Sequence, residues 1–140
     1  MLKTELLHPA IFRAIANCGH GDKILIVDGN YPVDSDTNPN TEKVYLALRP
    51  DLPTVTQVLE TLVKEMNFEK AEVMTPGEGV PEPEIFEEFR SILHVDKLPV
   101  LDRFGFYQAA KEADNVKLAI NTGETRVFSN ILLTVGVVEH

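Results

Sequence analysis

The sequence predicts an α/β fold, a three-layer α/β/α domain around a central mixed sheet. Three observations predict it. Strand-like and helix-like segments alternate along most of the chain, the pattern of layered α/β domains. Ile24, Leu25, Ile26 and Val27 form a continuous apolar run, which suits a strand buried on both faces. The last two strand-like segments, 117–121 and 130–137, have no helical pattern between them; that predicts a hairpin, and so a mixed sheet.

In chain order, residues 9–17 carry Ile11, Phe12, Ile15 and Ala16 at helical spacing, and Gly19 ends the helix. Residues 23–28 are the apolar strand. Residues 29–41, rich in Asp, Asn, Pro and Gly, read as a long solvated loop. Residues 43–48 are strand-like. Residues 53–66 place Val55, Val58, Leu59, Leu62 and Met66 on one helical face, opened by a proline at a tolerated first-turn position. Residues 69–74 form a second short strand and 75–83 a loop with three prolines. Residues 84–94 are helical, with Ile85, Phe86, Phe89, Ile92 and Leu93 on the inner stripe. Residues 98–101 are extended. Residues 103–113 form the last helix, with Asp102 as its N-cap.

A chain of 140 residues is one domain's length, enough to bury roughly two-thirds of the unfolded surface. Hydrophobic residues at 44% and charged residues at 25% are a globular balance rather than a disordered one. A single cysteine, Cys18, excludes an intrachain disulfide, and a small buried thiol is its simplest role. The net charge of −9 argues against nucleic acid and against an anionic membrane surface as partner. The N-terminal segment has neither the apolar stretch nor the cleavage site of a signal peptide, so a cytoplasmic location is expected. The acidity is local: residues 60–88 hold nine acids and two bases, and the rest of the chain 13 acids and 11 bases. That stretch is expected to lie away from the candidate site.

Several motifs fail. Gly19-His20-Gly21 begins like a dinucleotide loop, but Ile24 stands at the third glycine and the context is helix then strand, the reverse of what is required. Gly77-Glu78-Gly79 has the right context, yet Glu82 replaces the third glycine and Glu78 would repel a pyrophosphate. Asp34-Ser35-Asp36 starts like a calcium loop, but Pro39 occupies the glycine position. The four histidines have no metal-ligand spacing, so no metal and no cofactor is expected.

His20, between two glycines at the entrance to the apolar strand, and Asp28, at that strand's carboxyl end, carry the chemistry that remains. Open α/β sheets place ligand groups at strand carboxyl ends. A histidine suits general acid–base work near neutral pH. On spacing alone, a turn histidine satisfied by a backbone carbonyl, with Asp28 capping the next loop, stays open beside the catalytic reading.

His8-Pro9, Gly19-His20-Gly21-Asp22 and Asp28-Gly29-Asn30-Tyr31-Pro32 resemble the first half of the ribose pyranase / fucose mutarotase family. Arg103-Phe104-Gly105-Phe106-Tyr107, then Thr122-Gly123-Glu124 and Phe128-Ser129-Asn130-Ile131-Leu132-Leu133, are similar to its second half. The resemblance covers residues 6–137 and implies a single sugar-mutarotase-like domain over 1–140. It implies an isomerase that interconverts cyclic forms of a neutral monosaccharide, L-fucose or a related aldose, without a cofactor. His20 would be the acid–base residue. Asp28, Arg103, Phe128, Ser129 and Asn130 would contact the sugar, with Asp22 and Tyr107 in support. Arg103 and the aromatic helix look like the fucose branch, whereas Phe128 stands where both branches usually carry tyrosine. The resemblance further implies a homo-oligomeric ring, often a decamer, with sites at subunit interfaces. A non-catalytic sugar-binding module on the same fold is the alternative, and a nucleotide-binding domain a weaker one.

Overall fold

Helices α1 (Pro9–Ala16), α2 (Val55–Leu62), α3 (Ile85–Leu93) and α4 (Arg103–Glu112) alternate with strands β1 (Lys23–Val27), β2 (Glu42–Tyr45), β3 (Phe68–Met74), β4 (Val100–Leu101), β5 (Val116–Asn121) and β6 (Ile131–Val135). The computed structural model describes residues 1–140. Three of the four helix starts have a local cause in the sequence. Pro9 opens α1, and the His8 ring accepts the Ile11 N–H. Thr54 and Gln57 form a reciprocal capping box on α2. Asp102 accepts the Gly105 N–H at 2.6 Å and caps α4 as expected.

The strands form one six-stranded sheet in the order β2-β5-β1-β6-β3-β4. β1, β2 and β5 are mutually parallel, β3 pairs parallel with β4, and β6 runs antiparallel between β1 and β3. The sheet is mixed, as expected, but β5 and β6 are not a hairpin. β1 lies between them. The connection 122–130 passes over the carboxyl end of β1 and returns on its far side, a step of two strand spacings, or ~10 Å. β6 is thereby buried along its whole length, and both of its backbone edges are paired.

β1 divides its side chains as a doubly covered strand must. Ile24 and Ile26 join Ile11, Ile15, Val58, Leu59, Phe86 and Phe89 under α1, α2 and α3. Leu25 and Val27 join Phe106 and Ala110 of α4 on the other face, together with Tyr31 and Val33. The second outer layer is therefore α4 plus the segment 29–41. That segment is packed rather than solvated. Thr37 and Asn38 are buried, the Thr37 hydroxyl donates to Val33 O, and the Asn38 amide donates to Lys111 O. Short polar side chains satisfying backbone groups let a loop without regular structure be buried. No helix is long and apolar enough to cross a membrane.

Candidate functional site

β1, β3 and β5 all point their carboxyl ends to the same edge of the sheet, and a cavity of about 320 Å³ opens there. Its walls are Asp28, Asn30 and Tyr31 after β1, Met74 ending β3, Arg103 and Tyr107 from α4, and Val127, Phe128 and Asn130 before β6. This is the edge where open α/β sheets bind ligands, and the size lies at the small end of ligand pockets.

Asp28 is buried, 2% exposed, and is held by backbone donors. Its Oδ1 accepts from Asn30 N at 2.9 Å and Tyr31 N at 3.1 Å, and its Oδ2 accepts from Ser129 N at 3.2 Å. Burial pushes its carboxyl above the ordinary range, and the Asn30, Ser129 and Tyr31 N–H groups, with the Asn130 side chain, pull against that rise. A carboxylate offers about four acceptor positions. With three backbone donors engaged, little beyond one remains for a ligand hydroxyl.

Asn130 braces the same corner, its Oδ1 accepting the Asp28 N–H at 2.9 Å. Asn130 also lines the cavity. Arg103 stands in the first turn of α4, with its guanidinium over the rings of Phe104 and Tyr107 and its Nε donating to the Tyr107 hydroxyl at 3.3 Å. The Tyr107 ring meets Tyr31 edge-on at 5.3 Å, so Tyr107 both packs and presents a hydroxyl to the cavity. Phe128 has φ +57°, left-handed backbone that a bulky residue adopts at a cost of about 1–2 kcal/mol. That turn aims the Ser129 N–H at Asp28 and lays the ring along the cavity wall. Ser129 contributes through its backbone. Its hydroxyl is buried without a partner and does not line this cavity.

The structure does not bring His20 into this group. His20 precedes β1 and Asp28 follows it, so the two lie at opposite edges of the sheet. The five residues of β1 alone separate them by ~16 Å. Asp22 does not touch the imidazole. Its Oδ2 accepts the Gly19 N–H at 2.8 Å and closes the turn. The partner of His20 is Glu69, with Oε2 2.8 Å from Nε2. Sequence reasoning missed Glu69. It belongs to the acidic stretch expected to lie away from the site, and that expectation fails here because β3 starts beside the His20 turn. Glu124, also unmarked, is a buried acid joined to Arg126, whose other partner is Glu88. Cys18 is half-buried, its thiol donates to Ala14 O, and burial pushes its pKa up to about 11.

The chain matches the RbsD / FucU transport protein family over residues 1–138. It is 35% identical to the D-ribose pyranase of Pseudomonas entomophila over 140 residues, 98% of each chain, and 32% identical to that of Clostridium novyi over 99% of each. Bacillus subtilis RbsD complexed with D-ribose superposes with a TM-score of 0.83 at 25% identity, covering 99% of this chain and 100% of the other. The fucose mutarotase of Streptococcus pneumoniae in complex with L-fucose gives the same TM-score, identity and coverage. Agreement in sequence over nearly the whole length, and in a sheet whose antiparallel β6 returns past β1, leads to one assignment: the chain belongs to the RbsD / FucU family.

Proposed function

We propose that residues 1–140 form one sugar-mutarotase domain, a cytoplasmic isomerase that interconverts the ring forms of a free aldose, with L-fucose or a related aldose as substrate. The observation that carries the reading is the cavity at the carboxyl edge. It combines an acceptor (Asp28), donors (Arg103 and the Asn130 amide), a phenol (Tyr107) and an aromatic wall (Phe128) in the space of one small ligand. Such a lining matches a neutral polyhydroxyl ring, whose hydroxyls each donate and accept. A ligand lacking them would leave these groups unpaired, which gives specificity. The relatives named for D-ribose and L-fucose support the same substrate class.

In the reaction, the bond between the anomeric carbon and the ring oxygen breaks as the anomeric hydroxyl becomes a carbonyl. A proton leaves that hydroxyl and a proton arrives on the ring oxygen. Rotation about the first carbon–carbon bond and reclosure give the other anomer. No electrons are exchanged, and a group that accepts and donates in turn suffices. His20 fills that role. Acid–base help of roughly 10²- to 10⁴-fold is adequate for a reaction that already proceeds in water.

His20 reaches a cavity by belonging to a neighbouring copy. Its side chain is 59% exposed, Val127 on the cavity wall is exposed, and Val100 and Phe104 leave further exposed apolar surface on the chain. Contact between a His20 edge and a cavity edge is heterologous, and such contacts form a ring when the rotation between copies closes. We infer a homo-oligomeric ring, of decamer size, with each site finished by a neighbour.

A second reading, a sugar-binding module without catalysis, draws on Phe128 and on the lack of an imidazole in the cavity of one chain. Exchange NMR on anomeric protons separates the two. Purified protein is expected to speed exchange for at least one of L-fucose, D-ribose and D-galactose. Binding with no acceleration for any would select the second reading.

A further inference from the structure

We propose that Glu69 is a positioning residue that fixes the His20 imidazole in one tautomer and leaves Nδ1 as the atom that exchanges protons with the sugar. The inference rests on the mutarotase reading and adds a residue to that same site.

An ionised carboxylate can only accept. Glu69 Oε2, 2.8 Å from Nε2, therefore requires the proton of a neutral His20 ring to sit on Nε2. The lone pair is then on Nδ1, which makes no hydrogen bond. Taking the proton from the anomeric hydroxyl at Nδ1 produces an imidazolium facing a carboxylate. Returning that proton to the ring oxygen restores the starting tautomer, so no proton is gained or lost over the cycle.

Both ends of the pair are fixed by backbone. In the turn before β1, Gly21 N donates to Val135 O at 2.9 Å, Asp22 holds Gly19 N, and the Asn115 amide donates to Gly21 O at 2.8 Å. On the Glu69 side, Gly136 N donates to Asn67 O at 2.8 Å, and the Asn67 amide donates to Val137 O at 3.0 Å. A Cβ at Gly136 would stand 3.3 Å from Glu69 N and 3.4 Å from Glu69 Cβ, so the chain after β6 lies close against Glu69. Ring and carboxylate are both about half exposed. Pairs this open contribute little to folding, yet both partners sit on braced backbone. That combination serves orientation better than stability.

The test uses the intact protein, ¹⁵N NMR of the His20 ring, and anomeric exchange of L-fucose and D-ribose. Glu69→Ala is expected to replace the single tautomer by a mixture. It should lower kcat roughly 10- to 100-fold, by analogy with losing the orienting partner of a metal-bound histidine, with KM and melting temperature nearly unchanged. Glu69→Gln, whose amide oxygen still accepts from Nε2, should keep the tautomer and recover most of kcat. An unchanged tautomer or an unchanged kcat in Glu69→Ala, with His20→Ala inactive, overturns the role of Glu69 alone. Full activity in His20→Ala overturns the acid–base reading of His20, and this inference with it.

Discussion

Asn130 and Asp28 hold each other from opposite ends of the chain. The Asn130 side-chain oxygen accepts the Asp28 N–H at 2.9 Å, and the neighbouring Ser129 N–H donates to the Asp28 carboxylate at 3.2 Å. The link joins the end of β1 to the start of β6, and it sets the floor of the cavity. Removing the Asn130 side chain leaves the Asp28 N–H buried without a partner, which costs about 1–3 kcal/mol. Asn130→Ala is therefore expected to melt several degrees lower and to lose sugar affinity as well. Calorimetry with and without sugar measures both, and a variant as stable as the wild type would show that the brace is not structural.

The raised pKa of Asp28 has a sign that can be checked. The folded protein holds the Asp28 proton more tightly than the unfolded chain does, because burial disfavours the charge. Its contribution to stability is complete below the ordinary carboxylate value of about 4 and is lost as pH rises through the raised folded value. Relative to Asp28→Asn, which does not titrate, the wild type should lose stability as pH climbs from about 4 into the region above. Melting curves of both proteins across that range give the difference directly. A difference that stays constant or grows with pH contradicts the burial argument.

The doubly buried β1 was legible in four consecutive apolar residues, because alternate side chains of a covered strand meet two cores. Asp28 was legible for a related reason: a residue just past a parallel strand stands at the ligand edge. The separation of His20 from Asp28 was there to be read too. Eight positions with an extended strand between them cannot meet within one chain. Glu69 was not legible. Its contact spans 49 positions and depends on the sheet order, in which β3 lies two strands from β1 with β6 between them. The hairpin expectation failed on the same point, since strand neighbours are chosen by burial across the whole sheet and not by closeness in sequence.

Phe128 combines left-handed backbone with a ring on the cavity wall, and two substitutions separate these roles. Phe128→Gly removes about 1 kcal/mol of backbone strain while losing the packing of a half-buried ring. Its melting temperature should stay within a few degrees of the wild type, and sugar binding should weaken. Phe128→Tyr keeps the ring and adds a hydroxyl at the wall. Under the mutarotase reading, kcat for anomeric exchange rises several-fold in this variant. Identical rates would leave the ring as a stacking surface only.

Mixing variants tests whether the site is shared between copies. His20→Ala keeps an intact cavity, and Asp28→Asn keeps an intact imidazole; each alone is expected to be inactive. Under the proposed ring assembly, co-expression in equal amounts gives mixed rings in which a cavity from one kind meets a His20 from the other. Random placement restores about a quarter of the sites, since each site needs an intact contribution from two independent copies. Anomeric exchange in the co-purified mixture should approach that fraction of the wild-type rate. If His20 served the cavity of its own chain, neither kind of copy would carry both groups, and the mixture would be as inactive as its components.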